Sequence, residues 1–375
     1  MRIVHLITDL ATGGAEMMLY KLLSRLEGRG FRSQVISLMD GGPVRDRIEG
    51  LGIAVDSLGM KPRWPTPAEA ARLVRAVRRR RPDIVQGWMF HGCLATEFVR
   101  LFLDRKPVVW NIRHSLHDLS GEKPMRVAVI RWLAHLSSRP VQILYNSRTS
   151  AKQHEGIGYN PRRTLVVPNG FDCEIFRPDP QARLAVRQEL GLGAGALLIG
   201  LAARVSPVKD HPTFLEAAGR LGSLDPPVHF VLMGRGADHS NRALESQIRS
   251  QRLEGRIHLL GERQDMPRLT AALDLATCCS VAESFPNVLG EAMACGVPCV
   301  ATNVGDTAWI IGETGRVVPT RSPAALSQAW QELLAMGAEG RRSLGEAARQ
   351  RIAQEFSLDR IAGEYQELYE QLGRG

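Results

Sequence analysis

Short runs of apolar residues alternate along the first half of the chain with segments whose apolar positions recur every three or four residues. The first run, RIVHLI at 2–7, predicts a buried strand, and residues 14–27 place one methionine and four leucines on one helical face. Because the strands are apolar on both faces, we expect a parallel sheet covered by helices on both sides. The same criteria predict further strands at 33–39, 83–88, 107–112 and 141–146 and a helix at 67–81.

Residues 166–180, VVPNGFDCEIFRPDP, interrupt this alternation with three prolines and no apolar periodicity, which is typical of a connector between domains. A second array of strands and helices follows, and a final helix is predicted near the C-terminus. We therefore predict one domain at 1–168, a linker at 169–180 and a second domain at 181–356. In the second array, strands are predicted at 196–202, 228–234, 256–261, 275–280 and 298–302, and helices at 211–222, 241–253, 265–272 and 287–295.

Length, net charge and cysteine content limit the classes of protein to which the sequence can belong. A length of 375 residues suits two domains of roughly 100–200 residues each. The formal charge of +9 favours anionic partners such as phosphorylated ligands, acidic lipid surfaces or nucleic acid. The six cysteines include no CxxC pair. No apolar run approaches the roughly 20 residues of a spanning helix, so we expect a cytoplasmic protein with reduced thiols.

Ligands of open parallel sheets bind beyond the carboxyl ends of the strands, and four chemically distinctive stretches follow predicted strands. In TDLATGGAE at 8–16, Gly13 and Gly14 let the backbone approach a ligand, and the helix start that follows favours an anion. An ordinary turn explains these glycines equally well. In LAARVSPVKD at 201–210, Arg204 and Lys209 together suit a diphosphate, although most such pairs lie on solvated loops.

The third stretch, VAESFPNVLGEAMACG, runs from a strand end into a helix. Glu283 falls in the loop, and Glu291 falls about one turn into the helix. The N–H groups around Asn287, Val288 and Leu289 favour a phosphate, so we expect the carboxylates to bind sugar hydroxyls. The ordinary alternatives are a solvated loop acid and an acid that complements the N-terminus of its helix.

The fourth candidate comprises GWMFHG at 87–92 and VVWNIRHSLHD at 108–118. His91 and His114 each follow a strand and can protonate or bind a reacting centre, but we expect one of them to be structural. Arg113 adds a charge that can reach an acceptor phosphate. The sequence has no DxD pair in a suitable loop, no P-loop, no HExxH and no GxSxG, so neither a metal nor a cofactor is expected.

Together these stretches resemble the family 4 retaining glycosyltransferases of the GT-B fold. The resemblance rests on Glu283-x7-Glu291 followed by AMACGVPCVATNVG, and on four further segments spread over nearly the whole chain. It implies an α/β protein of two Rossmann-like βαβ domains facing an interdomain cleft, with the acceptor mainly on the first and the nucleotide-sugar on the second. The final helix, 357–375, is then expected to pack onto the first domain. The four segments are TGGAE at 12–16, VVPNGFD at 166–172, ARVSPVKD at 203–210 and LMGRGAD at 232–238.

The resemblance also implies a role for each candidate in a metal-independent transfer that retains the anomeric configuration. Arg204 and Lys209 would hold the diphosphate and stabilise it as a leaving group. Glu283 would contact the donor sugar and Glu291 the ribose, while His114 would approach the sugar and the acceptor. The other implied donor contacts, including Arg263 near the base, are Gly13, Gly14, Arg263, Phe285, Pro286, Asn287, Val288 and Leu289.

Two residues depart from the pattern of that family. Pro286 stands where a glycine is often found, which puts the backbone contacts of this loop in doubt. Gly290 stands in place of a leucine, and we expect it to thin the packing of the helix.

The expected partners are a UDP-sugar donor and a glycan or lipid-linked acceptor used in cell-surface polysaccharide synthesis, such as that of lipopolysaccharide. The basic, apolar segments 73–81 and 122–139 suit a peripheral position on the anionic inner leaflet of the cytoplasmic membrane, although ordinary amphipathic helices fit them too. A nucleotide-sugar 2-epimerase or a disaccharide synthase of the same fold remains an alternative. A nucleic-acid-binding protein ranks last, because only 6% of the residues are aromatic and no such motif is present.

Overall fold

The structure, a computed structural model, describes residues 1–61, 63–104, 106–116, 123–222 and 224–374. It divides into two compact units, one formed by Met1–Gly170 together with Leu358–Gly375 and the other by Phe171–Ser357. Each unit contains one parallel sheet, as the apolar strands predicted.

The first unit has seven strands. In chain order its elements are β1 (Arg2–Ile7), α1 (Gly14–Leu26), β2 (Arg32–Ser37), α2 (Pro43–Glu49), β3 (Val55–Ser57), α3 (Pro67–Arg80), β4 (Ile84–Trp88), α4 (Met89–Arg100), β5 (Val108–Ile112), α5 (Pro124–Leu136), β6 (Gln142–Tyr145), α6 (Arg148–Gly156), β7 (Thr164–Val166) and the final α15 (Leu358–Arg374). The spatial order is β3-β2-β1-β4-β5-β6-β7. The direction of winding therefore reverses between β1 and β4, which is where sheets of this kind bind ligands.

The C-terminal helix α15 is part of the core of the first unit. Its residues Tyr365 and Tyr369 are fully buried in a cluster that also contains the leucines of α1 and the inward side chains of β1. The Tyr369 hydroxyl donates a hydrogen bond to the Gln86 side chain on β4, which ties the helix to the middle of the sheet.

The second unit has six strands and a similar plan. Its elements are α7 (Pro180–Glu189), β8 (Leu197–Ala202), α8 (His211–Arg220), β9 (Val228–Met233), α9 (Arg242–Ser250), β10 (Ile257–Leu259), α10 (Met266–Ala271), β11 (Leu275–Cys278), α11 (Asn287–Ala294), β12 (Cys299–Thr302), α12 (Thr307–Ile311), β13 (Gly315–Val318), α13 (Pro323–Ala335) and α14 (Gly337–Glu355). The spatial order is β10-β9-β8-β11-β12-β13, so its switch point lies between β8 and β11.

The segment predicted as a linker, 169–180, is largely integrated into the second unit, which begins at Phe171. The Phe171 N–H donates to the Phe356 carbonyl at 2.9 Å, and the Phe171 side chain is 1% exposed. The Asp179 carboxylate caps α7. Apolar periodicity is absent here because the segment packs as an irregular loop, not because it is a free connector.

Three strands were missed by the sequence analysis, namely β3, β7 and β13. Each has only three or four residues, lies at the edge of its sheet, and includes half-exposed or exposed positions. Short edge strands of this kind limit unwanted pairing with other chains, and they leave no continuous apolar run in the sequence. Within the described residues, no helix is both long and apolar enough to cross a membrane.

Candidate functional site

The two strands that border the switch point of the second sheet are each followed by a loop with a charged side chain. The loop after β8 carries Lys209, and the loop after β11 carries Glu283. The two loops are joined by a backbone hydrogen bond of 2.9 Å from the Val281 N–H to the Val208 carbonyl. Parallel pairing of β8 with β11 thus brings together two residues that are 74 positions apart.

Lys209 and Glu283 form an ion pair between the lysine Nζ and the carboxylate Oε1. The Ser280 hydroxyl donates to the same oxygen at 2.7 Å, and the two charged side chains are 25% and 15% exposed. Lys209 is the only lysine between residues 171 and 357. The pair is therefore a partly desolvated charge centre whose lysine remains accessible to a ligand.

Arg204 lies in the same loop after β8 as Lys209 and is exposed. No carboxylate of the described residues pairs with its guanidinium. Ser206, in the same loop, has a buried hydroxyl that finds no hydrogen-bond partner within the described part of the chain. Ser206 is not among the predicted site residues, because an isolated serine carries no distinctive pattern. Together the loop offers two cations and one hydroxyl donor, a set that suits a diphosphate.

Two glycines, Gly234 and Gly305, let neighbouring loops approach the backbone of the loops that carry Arg204, Lys209 and Glu283. A Cβ atom on Gly234 would lie 2.4 Å from the Ala203 carbonyl oxygen, and one on Gly305 would lie 2.4 Å from the carbonyl oxygen of Glu283. Their φ angles are +137° and +54°, which disfavour side chains. Gly305 is not among the predicted site residues. It allows the loop after β12 to pack against the backbone of Glu283 and Ser284.

The helix α11 begins directly after this loop, with Pro286 as its N-cap at φ −70°. That angle is the one proline prefers, and proline has no side-chain group that could cap the helix. Pro286 thus makes no side-chain hydrogen bond to the first-turn amides of α11, and a helix start is a suitable place for an anion. Glu291 follows in the next turn and is half-buried.

In the first unit, His91 and His114 line a single groove at the carboxyl edge of β4 and β5. His91 lies in the first turn of α4, where burial, and after it the positive charge of Arg126, lowers the pKa of its imidazole. The His114 ring packs edge-on against Phe90, with ring centroids 6.0 Å apart. The end of the predicted stretch, residues 117–118, lies outside the described residues.

Two protein-family models match the chain over most of its length. The model described as Glycosyltransferase Family 4 matches residues 12–175, and the one described as Glycosyl transferases group 1 matches residues 196–336. The chain belongs to the group 1, family 4 glycosyltransferases. It is accordingly a nucleotide-sugar-dependent enzyme.

Individual relatives and solved structures agree with this assignment. The D-inositol 3-phosphate glycosyltransferase of Geodermatophilus obscurus is 28% identical over 93% of this chain and 82% of that protein. The UDP-Gal:alpha-D-GlcNAc-diphosphoundecaprenol alpha-1,3-galactosyltransferase of Escherichia coli is 27% identical over 51% of each chain. The crystal structure of Anabaena HepE in complex with UDP superposes with a TM-score of 0.87 at 23% identity, covering 99% of this chain and 100% of that one. The glycosyltransferase therefore has the GT-B fold.

Some predicted donor contacts of the glycosyltransferase are core residues. Phe285 is 5% exposed and stacks on Phe171 with ring centroids 6.1 Å apart, and it also packs against Trp309 and Phe356. Leu289 is 1% exposed within the same cluster. Their side chains pack in the core beneath the donor loop, residues 279–286 between β11 and α11. Only their backbone groups can therefore face a ligand.

The expected thinning of α11 at Gly290 is wrong. A Cβ atom at this position would lie 2.1 Å from the Phe171 ring, so the ring occupies the space that a side chain would fill. Gly290 thus allows the ring of Phe171, the first residue of the second unit, to pack closely against α11.

Arg263, predicted to lie near the base, is engaged by carboxylates. Its guanidinium donates twice to Asp265, at 2.8 and 2.9 Å, and once to Glu189 at 3.0 Å, and Arg268 bonds to the same two acids. These hydrogen bonds raise the pKa of Arg263 further and hold the pKa of Asp265 well below its usual range. Because Nε, Nη1 and Nη2 of Arg263 already donate to carboxylates, the guanidinium can contact a base through its planar face but not through two free N–H donors.

Gly13 and Gly14 form the start of α1, as predicted, with Gly13 as the N-cap. A Cβ atom on Gly13 would lie 2.3 Å from the Glu16 carboxylate, which folds back over the helix start. Burial raises the pKa of Glu16, and nearby Asp9 raises it further. An acid therefore already complements this helix end, so the glycines provide close approach rather than an open anion site.

Arg113 does not reach an acceptor phosphate. Its side chain is buried and donates to the side-chain oxygen of Asn111 at 3.0 Å, to the Tyr365 hydroxyl at 2.9 Å and to the side-chain oxygen of Asn169. The guanidinium also lies 5.6 Å from the ring centroid of Trp88. Arg113 is a structural residue that fastens α15 to the sheet.

Proposed function

We propose that this glycosyltransferase moves a hexosyl or N-acetylhexosaminyl group from a UDP-sugar to a glycan or lipid-linked acceptor, with retention of configuration and without a metal ion. The proposal is carried by one observation, the Lys209–Glu283 pair at the switch point of the second sheet, in a loop that also carries Arg204. This arrangement provides cations for a diphosphate and a carboxylate for hydroxyl groups at a single point.

The chemistry of transfer assigns a task to each of these side chains. When the bond from the anomeric carbon to the diphosphate breaks, negative charge grows on the departing phosphate oxygen. Arg204 and Lys209 would offset that charge in place of a metal ion. Glu283 would keep the lysine ammonium in position and accept hydrogen bonds from the sugar, and Glu291 would accept from the ribose hydroxyls.

The choice of UDP is supported by the relatives. HepE has been solved with UDP and with UDP-glucose, and the Escherichia coli relative is named for a UDP-galactose donor. We extend that preference to this chain, because the loops that surround the pair lie on the same fold.

The acceptor is assigned to the first unit. His114 would approach the reacting centre from the carboxyl edge of β5, with His91 as its neighbour in the groove. The Escherichia coli relative acts on a diphosphoundecaprenol-linked sugar. A role in cell-surface polysaccharide synthesis at the cytoplasmic face of the membrane follows as part of the proposal.

Thermal denaturation in the presence of nucleotides tests the donor assignment. A ligand at 100 times its dissociation constant stabilises the folded protein by about 2.7 kcal/mol, so UDP should raise the melting temperature clearly. Lys209→Met and Glu291→Ala should each reduce that increase, whereas Arg249→Met, an exposed charge on α9, should not. Stabilisation by GDP alone or by duplex DNA alone would contradict the proposal.

A further inference from the structure

The first unit contains a groove of about 1900 Å³ bounded by α3, α4 and α5. Pockets that hold drug-sized ligands usually measure about 300–1,000 Å³, so this groove is larger than a sugar acceptor alone requires. It extends well beyond His91 and His114, which occupy only its end at the carboxyl edge of the sheet.

Apolar residues make up a large part of the groove wall, with charged residues among them. On α4 they recur at helical spacing from Phe90 to Phe98, a distance of about 12 Å at 1.5 Å per residue, and Leu101 and Phe102 follow directly after the end of the helix. Because α4 starts at the carboxyl edge after β4, this stripe leads away from the histidines toward the opposite edge. The apolar residues that α4 contributes are Met89, Phe90, Leu94, Ala95 and Phe98.

Several of these large side chains are exposed although they are apolar. Trp64 and Trp132 both line the groove and contact each other edge to face, with ring centroids 6.2 Å apart, and they are 53% and 49% exposed. Leu101 is 70% exposed. An apolar surface of this extent in water indicates a partner that covers it.

The charges of the groove favour an anionic partner. Lys61 and Lys123 lie near its histidine end, are exposed, and form no ion pair with a described carboxylate. Arg126 is close enough to His91 to lower the pKa of its imidazole. Farther along, the exposed Arg75 and Arg78 of α3 also line the groove. Asp9, Glu16 and Glu97 are the acids in the lining.

We infer that the groove holds the hydrocarbon chain of a lipid-linked acceptor, with the phosphate or diphosphate of that lipid near Arg126 and Lys123. This inference rests on the proposed function and specifies its acceptor. The chain lies along α4 beside the Trp64–Trp132 pair, and the sugar carried on the phosphate reaches His91 and His114. Apolar length combined with cations at the reacting end is the complement of a phosphorylated lipid, and neither a free sugar nor a phosphorylated polyol would use the apolar stripe.

Equilibrium binding of farnesyl diphosphate to the full-length protein tests the inference, with no donor present. Farnesyl diphosphate should bind at least about tenfold more tightly than either inorganic diphosphate or farnesol, because only the intact lipid engages both the apolar wall and the cations. Equal affinity for inorganic diphosphate would reveal an anion site only and would overturn the inference.

Two pairs of variants locate the binding. Trp132→Glu and Arg126→Ser should each weaken binding of farnesyl diphosphate by about tenfold. Arg131→Ser, an exposed arginine of α5 outside the groove, and Leu184→Glu, an exposed apolar position of the second unit, should leave binding unchanged. Unchanged binding in Trp132→Glu would also overturn the inference.

The UDP response of the same variants separates this inference from the donor assignment. If UDP stabilises the protein but farnesyl diphosphate does not bind, the lipid inference is wrong and the donor assignment stands. If the lipid binds and UDP has no effect, the donor assignment is wrong.

Discussion

Gly290 and Phe171 illustrate how much of the donor site depends on single residues that do not touch a ligand. The Phe171 ring lies where a side chain at 290 would be, and it stacks on Phe285 directly before the N-cap of α11. The backbone of the donor loop is therefore positioned by an aromatic cluster that also includes Trp309 and Phe356.

Gly290→Ala should therefore destabilise the second unit although alanine is the better helix former. The added methyl group would force the Phe171 ring to move, and overpacking of this kind costs about 1–3 kcal/mol. The melting temperature should fall by several degrees. Gly363→Ala is the matched control, since a Cβ atom there meets nothing within 4 Å; it should leave stability unchanged or raise it by up to about 1 kcal/mol. Equal effects of the two substitutions would show that Phe171 does not pack as described.

The site residues differ in how far sequence alone could assign them. Lys209 and Glu283 were selected separately because each follows a buried strand, and the sheet order then brings them together. Arg113 was misassigned because the burial of its side chain depends on Tyr365. That residue lies 252 positions away and accepts a hydrogen bond from Arg113 only when α15 packs onto the sheet. A charged side chain in a sequence shows no sign of whether a distant partner will bury it.

The strands β1 and β4 are joined at their switch point by a buried hydrogen bond of 3.1 Å from the Trp88 indole to His5 Nδ1. Burial lowers the pKa of His5 from 6.5 to about 3. The unfolded chain therefore takes up a proton below pH 6.5 that the folded chain excludes. This contribution to stability is complete above pH 6.5 and is lost as the pH falls from there toward about 3.

Acidification should thus destabilise the first unit, by about 2 kcal/mol from His5 alone at pH 5. His5→Asn retains an acceptor for the Trp88 indole and cannot be protonated. Its melting temperature should decrease less than that of the wild type between pH 7.5 and pH 5, whatever its value at pH 7.5. His239→Asn, at an exposed position, should decrease as the wild type does. Identical decreases for His5→Asn and the wild type would contradict the assignment.

The strands inside the two sheets were predictable, whereas three of the four edge strands were not. Buried strands such as β1, β8 and β9 have a continuous apolar run, because both faces of a parallel sheet are covered. The edge strands β3, β7 and β13 bury fewer positions and lack that signal. The boundary at Phe171 was also missed, since an irregular segment that packs tightly has the same proline-rich composition as a linker.

The whole chain repeats one plan, a parallel sheet with a switch point beside its central strands, in each of its two units. The same plan carries different chemistry in each unit. In the second unit the switch point holds Arg204 and the Lys209–Glu283 pair, which suit a diphosphate and a sugar. In the first it holds histidines at the end of a long apolar groove with a cationic lining. The net positive charge of the chain fits the anionic nucleotide-sugar that an enzyme of this family uses.

Release of UDP from a panel of UDP-sugars in the presence of EDTA tests the central claim most directly. The wild-type enzyme should turn over at least one UDP-sugar at a rate that EDTA does not change. Glu283→Ala should lower that rate by about 100-fold or more, in line with the loss of one charged group that acts on a transition state. The exposed Glu254→Ala should retain the wild-type rate. No turnover of any UDP-sugar, abolition by EDTA, or full activity in Glu283→Ala would contradict the account.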